Sequence, residues 1–375
     1  MTGVLVSAGE ASGDLYAAEL VTALKGNHQK LSFFGCPGDR MEAAGVEPVI
    51  RASSLGVVGL VEVVAHLPRI YGAFRKLVSA AKSRRPAVAI LTDSPDFNLR
   101  VARQMKLMGV PVVYLIAPQV WAWRQKRVRK FPGLIDHLLC IFPFEEPWFR
   151  ERGVNATYIG HPLTHIVRRT RSREEFFSRH RLDPHRPLVV LLPGSRVGEV
   201  SRHLPVVADA AVRLKEAQCL LATPAGFSSR AGARFFRERI PASSIQVVEG
   251  ETSDALAHAT VAMAASGTVT VEAAVLGTPM VTFYRVSPLS WALGRRLVRV
   301  PYLTMVNLIA GRMIVPELMQ NEATGERLAA EVQTLLVNSS KRDQMKRELA
   351  RVTEALRTPE HPMVRAAAIA GTYLP

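Results

Sequence analysis

Short apolar runs alternate with longer stretches of helical spacing along most of this chain. Gly3–Ser7, Leu31–Phe34, Val88–Leu91, Val112–Ile116, His137–Ile141 and Thr157–Ile159 each have the length of a buried strand. Helical patterns such as Leu15 to Leu24 and Leu99 to Met108 separate most of them. A second series follows at Leu188–Leu192, Cys219–Ala222, Ile245–Val248, Val261–Ala265 and Met280–Phe283, with its longest helix from Val197 to Lys215. Alternation of this kind predicts parallel sheets covered on both faces. Two such series predict an α/β protein of two Rossmann-like, doubly wound domains, with a ligand cleft outside the carboxyl ends of the strands. The basic, irregular stretch from Leu163 to Asp183 reads as a solvated linker, giving domains of residues 1–165 and 166–349. Thr324 to Arg357 is helical by spacing, with Leu328, Val332 and Leu335 on one face and Met345, Leu349, Val352 and Leu356 on another. A final helix within 350–375 is expected to pack back on the first domain. Leu55 to Phe74 is apolar on more than one helical face, which favours a buried helix over a lipid- or acyl-binding flap.

Composition narrows the picture. Across 375 residues, 48% hydrophobic and 21% charged side chains describe a folded protein too long for one typical core. Lys and Arg outnumber Asp and Glu by 48 to 32, and the resulting +16 favours an anionic partner: nucleic acid, anionic lipid or a phosphorylated substrate. Cys36, Cys140 and Cys219 are odd in number and far apart, which predicts reduced thiols in a cytosolic protein, without disulfides or a zinc site. Residues 1–20 lack the basic start and apolar core of a signal peptide, and no apolar segment approaches the ~20 residues that span a bilayer. A protein that is soluble, or at most lies on a membrane surface, is expected.

Candidate chemistry sits where the apolar runs end. Ser266-Gly267-Thr268 leads from one run into a short helix, an arrangement that aims backbone N–H groups and a positive helix end at an anion. Gly267 admits a phosphate to the backbone, and Ser266 and Thr268 cap the helix or bind the ligand. Glu272, one turn on, is placed to accept from ribose hydroxyls. Leu192-Pro193-Gly194-Ser195-Arg196 adds a second turn with a planar guanidinium, and the pair predicts a diphosphate site. Asp93-Ser94-Pro95-Asp96-Phe97-Asn98 ends another strand. Either carboxylate is a candidate general base for a sugar hydroxyl, while the bland alternative has Asp96 capping a helix and Asp93 accepting backbone N–H bonds. Glu10 and Asp14 compete for that role from the loop Ala8–Asp14, which lacks GxGxxG spacing. No DxD or clustered His, Asp and Glu points to a metal. Trp121 to Lys130 combines two tryptophans with five cations, suited to nucleic acid or to anionic headgroups. His161 reads as structural, and Asn307, Arg312, Glu317 and Gln320 either line a nucleotide pocket or cap helices.

Together, Ser7–Asp14, Asp93–Asn98, Gly160-His161-Pro162, Leu192–Arg196 and Ala265–Thr268 with Glu272 closely resemble the lipid-A-disaccharide synthase family. Phe283–Pro288, Asn307–Arg312 and Val315–Gln320 resemble it too, in order, over roughly residues 3 to 350. The resemblance implies the B-type glycosyltransferase (GT-B) fold with the donor in the second domain. It implies transfer of 2,3-diacylglucosamine from its UDP conjugate to 2,3-diacylglucosamine 1-phosphate (lipid X). The products are a β-1,6-linked disaccharide 1-phosphate and UDP, formed with inversion and with neither metal nor other cofactor. It implies work at the inner face of a Gram-negative inner membrane, where the enzyme is peripheral. On this resemblance Asp93, Asp96 or Glu10 is catalytic, and Ser12, Gly13, Asp14 and Asn98 meet the acceptor. Gly194, Ser195, Arg196, Ser266, Gly267, Thr268, Glu272, Asn307, Glu317 and Gln320 meet the UDP-sugar. Val57, Val58, Leu60, Val61, Val64, Trp121, Trp123, Arg124, Lys126, Arg127, Arg129 and Lys130 form the acyl and membrane surface. The anionic membrane is then the partner rather than nucleic acid, and a homodimer stays open. Other readings are a peptidoglycan N-acetylglucosaminyltransferase or UDP-sugar epimerase of the same architecture, and a non-catalytic binder of membrane or nucleic acid. An NAD-dependent enzyme is disfavoured by the absent GxGxxG.

Overall fold

A computed structural model of the chain describes residues 1–28, 30–54, 60–232, 234–236, 238–240, 245–294 and 297–375. They form two compact units, Met1–Pro162 with Leu356–Pro375, and Leu163–Ala355.

In the first unit the strands are β1 (Thr2–Ser7), β2 (Leu31–Cys36), β3 (Val46–Pro48), β4 (Val88–Thr92), β5 (Val112–Leu115), β6 (His137–Cys140) and β7 (Ala156–Tyr158). They build one parallel sheet in the order β3-β2-β1-β4-β5-β6-β7. Every residue of β4 is buried, as are Val4, Leu5 and Val6 of β1, because helices cover both faces. The chain builds outward from β1 through β3, then returns to β4 on the other side of β1. Loops leaving β1 and β4 therefore diverge, and such a reversal opens a crevice at the strands' carboxyl ends.

The second unit repeats the plan with β8 (Leu188–Leu192), β9 (Gln218–Thr223), β10 (Ile245–Glu249), β11 (Val261–Ala265), β12 (Met280–Tyr284) and β13 (Glu317–Met319). These are also parallel, in the order β10-β9-β8-β11-β12-β13, so the reversal falls between β8 and β11.

Several elements depart from the sequence expectation. The first helix starts at Ala11, not Leu15, so Ser12, Gly13 and Asp14 lie within it rather than in a loop. β3 and β13, three residues each, are too short to carry a periodic signal. The stretch from 163 to 183 exposes Arg168, Arg169, Arg179 and Arg181 as expected, but it is not irregular. It contains helices Leu163–Ile166 and Arg173–Arg179, the latter opened by a reciprocal Ser172–Glu175 cap. Within it Arg171 pairs with Glu251 at 3.1 Å and Asp254 at 3.0 Å. Thr324–Arg357 divides at Asn338 into helices Gly325–Val337 and Ser339–Leu356, whose expected apolar faces are buried. Helix Pro362–Gly371 packs on helix Ala11–Asn27 and buries Met363, Ala366, Ala367 and Ala370.

Helix Leu60–Arg84 buries Ala73, Leu77, Val78 and Ala81, yet Leu67 is 49% and Tyr71 61% exposed, so it is not the wholly buried helix expected. Val57 and Val58 lie outside the described residues, as do the side chains of Leu60, Val61 and Val64. All three cysteines are free and buried, and burial pushes the thiols of Cys36 and Cys219 up to about 12 and about 11. They are inert at neutral pH.

Candidate active site

Asp93 follows the last residue of β4, at the reversal of the first sheet. It and Ser94 adopt left-handed backbone, with φ of 50° and 36°. That turn sends the carboxylate across to the loop leaving β1, where Gly9 N–H donates to Oδ1 at 2.7 Å and Glu10 N–H to Oδ2 at 3.1 Å. Glu10 is the N-cap of helix Ala11–Asn27, so these donors flank a positive helix end. Bare α-carbons make the approach possible: a Cβ on Gly13 would overlap Asp93 Oδ2, and one on Gly9 would overlap Ser94 Oγ. Burial pushes the Asp93 carboxyl up to about 7; the Gly9 and Glu10 N–H groups oppose this and the Glu10 charge adds to it. A carboxylate with that affinity for a proton is matched to taking one from a hydroxyl near neutral pH.

Two of the three competing carboxylates, Asp96 and Asp14, are occupied. Asp96 is exposed and ion-paired with Arg127, with Arg124 3.8 Å away. Asp14, expected to meet the acceptor, turns inward instead. Its carboxylate accepts from Gly38 N at 2.9 Å, Arg40 N at 2.9 Å and Met41 N at 3.1 Å, capping the short helix Asp39–Ala43. Asn98 is likewise buried, with its amide spent on the protein itself. Gly13 is buried under Asp93, while Glu10 is exposed and Ser12 half-exposed.

Trp121 corrects the membrane expectation. It is buried, because Glu145 accepts its indole N–H at 2.9 Å and Phe144 packs edge-on at 4.9 Å. Glu145 also accepts from Ile141 N and Phe142 N, and burial pushes its carboxyl up to about 7. Trp123 is 42% exposed, with the Arg124 guanidinium 4.1 Å over its ring. Arg124, Lys126, Arg129 and Lys130 are exposed around it, while Arg127 is half-exposed beside Asp96.

In the second unit two turns flank the reversal between β8 and β11. Gly194 holds φ 126° against the Glu199 carboxylate, which accepts Ser195 N–H at 3.0 Å. Arg196 then stands exposed at the N-cap of helix Val197–Arg213. Behind the turn, fully buried His203 lies 2.7 Å from the Pro193 carbonyl through Nδ1 and accepts Arg285 N–H at 3.0 Å on Nε2. Nε2 also lies 3.1 Å from the Arg285 carbonyl, so the imidazole ties the turn after β8 to the backbone after β12. His203 escaped the sequence reading because it shares an apolar helix face with Val200, Leu204 and Val207.

Burial, then the Glu199 charge, pushes the Tyr284 hydroxyl up to about 12, with Arg196 and Arg202 opposing. Across the reversal, Gly267 and Thr268 are exposed, and a Cβ on Gly267 would meet no protein atom within 4 Å. Helix Thr268–Val275 has no side-chain cap, and Ser266 Oγ instead donates to the Leu303 carbonyl at 3.1 Å. Glu272 accepts from Ser253 Oγ at 2.7 Å, and burial raises its carboxyl. Ser253 also lines a recess of about 370 Å³ with Gly250, Arg168 and Arg171.

Three residues expected at the nucleotide are hydrogen-bonded within the protein. Asn307 is buried and bonded to Val315 O and Glu317 Oε1. Glu317 also takes Leu303 N–H and Thr304 N–H, and Gln320 takes Val286 N–H at 2.7 Å.

Two doubly wound parallel sheets, each with polar turns at its reversal, define the GT-B class of glycosyltransferases and related epimerases. Solved structures agree on the fold. UDP-GlcNAc 2-epimerase from Neisseria meningitidis matches with TM-score 0.65 and 9% identity over 98% of both chains. MurG from Acinetobacter baumannii matches at 0.57 and 14%, over 99% of this chain and 100% of its own.

Sequence takes the assignment further. A family model described as lipid-A-disaccharide synthetase matches residues 4–370. The lipid-A-disaccharide synthase of Solibacter usitatus is 57% identical over 357 residues, covering 95% of this chain and 93% of that one. The Myxococcus xanthus synthase is 42% identical over 92% of this chain and 91% of its own. The chain belongs to the lipid-A-disaccharide synthase family. It is a glycosyltransferase of lipid A biosynthesis, which sets aside the peptidoglycan-transferase and epimerase readings. Among the described residues no helix is long and apolar enough to cross a membrane.

Proposed function

We propose that this enzyme moves 2,3-diacylglucosamine from UDP to the 6-hydroxyl of 2,3-diacylglucosamine 1-phosphate by a single inverting displacement. The observation that carries the reading is Asp93, a half-buried carboxyl at the sheet reversal whose proton affinity suits general-base work. Asp93 takes the hydroxyl proton as the oxygen bonds to the anomeric carbon. The bond from that carbon to the diphosphate oxygen breaks, and its electron pair leaves with UDP. Arg196 and the uncapped start of helix Thr268–Val275 supply positive potential for the leaving group, without a metal. Glu272 accepts from the ribose, beside the recess that Ser253 lines.

Exposed Leu67, Tyr71 and Trp123, with Arg124, Lys126, Arg129 and Lys130, support seating on an anionic bilayer at the inner face of the inner membrane. Each cation near such a surface contributes about 1 kcal/mol. Mass spectrometry of the products from the two acylated sugars, with and without chelator, tests the reading. Equal amounts of disaccharide 1-phosphate and UDP, unaffected by chelator, are expected. UDP release without disaccharide, or loss of product on chelation, contradicts it.

A further inference from the structure

Aspartate visits the left-handed region as a single residue, but Asp93 and Ser94 adopt positive φ in succession, which surrounding groups must hold. Three fully buried side chains do. Tyr114, on the neighbouring strand β5, donates its hydroxyl to the Asp93 carbonyl at 2.6 Å. Asn98 Nδ2 donates to the same carbonyl at 3.1 Å and to the Thr92 carbonyl at 2.7 Å. Ser7, at the end of β1, donates to Asn98 Oδ1 at 2.8 Å and fixes the amide's orientation. The Asp93 carbonyl lies beyond the last residue of β4, and these two donors fill its acceptor capacity. A buried phenol and amide carry a desolvation cost that an apolar pair would avoid, and both direct their hydrogen bonds to the backbone of this one turn.

We propose that Tyr114 and Asn98 are positioning residues for proton transfer. By gripping the Asp93 carbonyl they hold its carboxylate against the Gly9 and Glu10 N–H groups, with its open edge toward the acceptor hydroxyl. Neither side chain touches substrate. The proposal rests on Asp93 being the base.

Tyr114→Phe keeps the ring and removes one donor. Turnover of the full-length enzyme is expected to fall about 10-fold with KM for both sugars unchanged. The acid limb of kcat is expected to move to higher pH, because a looser carboxylate spends less time with the N–H groups that favour its charged form. In an Asp93→Asn background the same substitution is expected to change nothing further. Asn98→Ser, put through the same cycle, supplies the test if Tyr114→Phe fails to fold. Full turnover of Asp93→Asn alone overturns the base assignment. An inactive Asp93→Asn with a Tyr114→Phe enzyme unchanged in kcat and pH limb overturns the positioning role. So does an equal loss in both backgrounds, which marks a general effect on the fold.

Discussion

Gly13 presents a bare α-carbon to the carboxylate of Asp93, and a methyl group there would occupy the space of Oδ2. Gly13→Ala should therefore displace the carboxylate while favouring the helix, where alanine is better than glycine by about 0.5–1 kcal/mol. A kcat loss of about 10²-fold with little change in melting temperature is expected. Steady-state kinetics alongside thermal unfolding checks this. Unchanged kcat would mean that the carboxylate's position does not matter.

The raised Asp93 carboxyl has two consequences with pH. As a base it works only when ionised, so turnover should climb through about pH 7. For stability the sign is opposite. The folded state holds the proton more tightly than the unfolded chain, so this group favours folding most below the usual carboxylate range. Its contribution declines as pH rises to about 7. Glu145, raised to about 7 by burial, acts in the same window. Melting temperatures of Asp93→Asn and its parent, compared from about pH 5 to about pH 8, should shift in favour of the variant as pH rises. A constant gap contradicts this.

The donor turns make a separable prediction. Arg196→Ala should weaken UDP binding by about 10- to 100-fold in calorimetry, the range for a charged hydrogen bond to diphosphate. His203→Leu leaves the Pro193 carbonyl and Arg285 N–H without their partner, at about 1–3 kcal/mol for each buried group. It should lower both stability and UDP affinity, although the imidazole is wholly buried. Unaltered UDP affinity in both variants would place the diphosphate elsewhere.

Long strands such as β4, β8 and β11 are legible in the chain because buried parallel strands read as unbroken apolar runs. The polar residues that end these runs mark the turns carrying the candidate chemistry, whereas the strand order that puts them at the sheet reversals comes from the structure. What local pattern does not carry is which way a side chain is pulled from a distance. Asp93 and Asp96 look alike in sequence. One is desolvated by a loop more than 80 residues earlier, the other held in solvent by Arg127. Trp121 reads as a membrane residue among cations until Glu145, 24 residues on, draws its indole inward. Asn98 and Asn307 read as ligand contacts, yet both brace backbone that no periodic signal describes.

The most direct test compares sugar transfer by Asp93→Asn and Asp96→Asn, with UDP binding measured on each. Asp93→Asn should lose about 10²- to 10⁴-fold in kcat with UDP affinity intact, while Asp96→Asn stays close to the parent. An active Asp93→Asn enzyme beside a dead Asp96→Asn one would contradict the account at its centre.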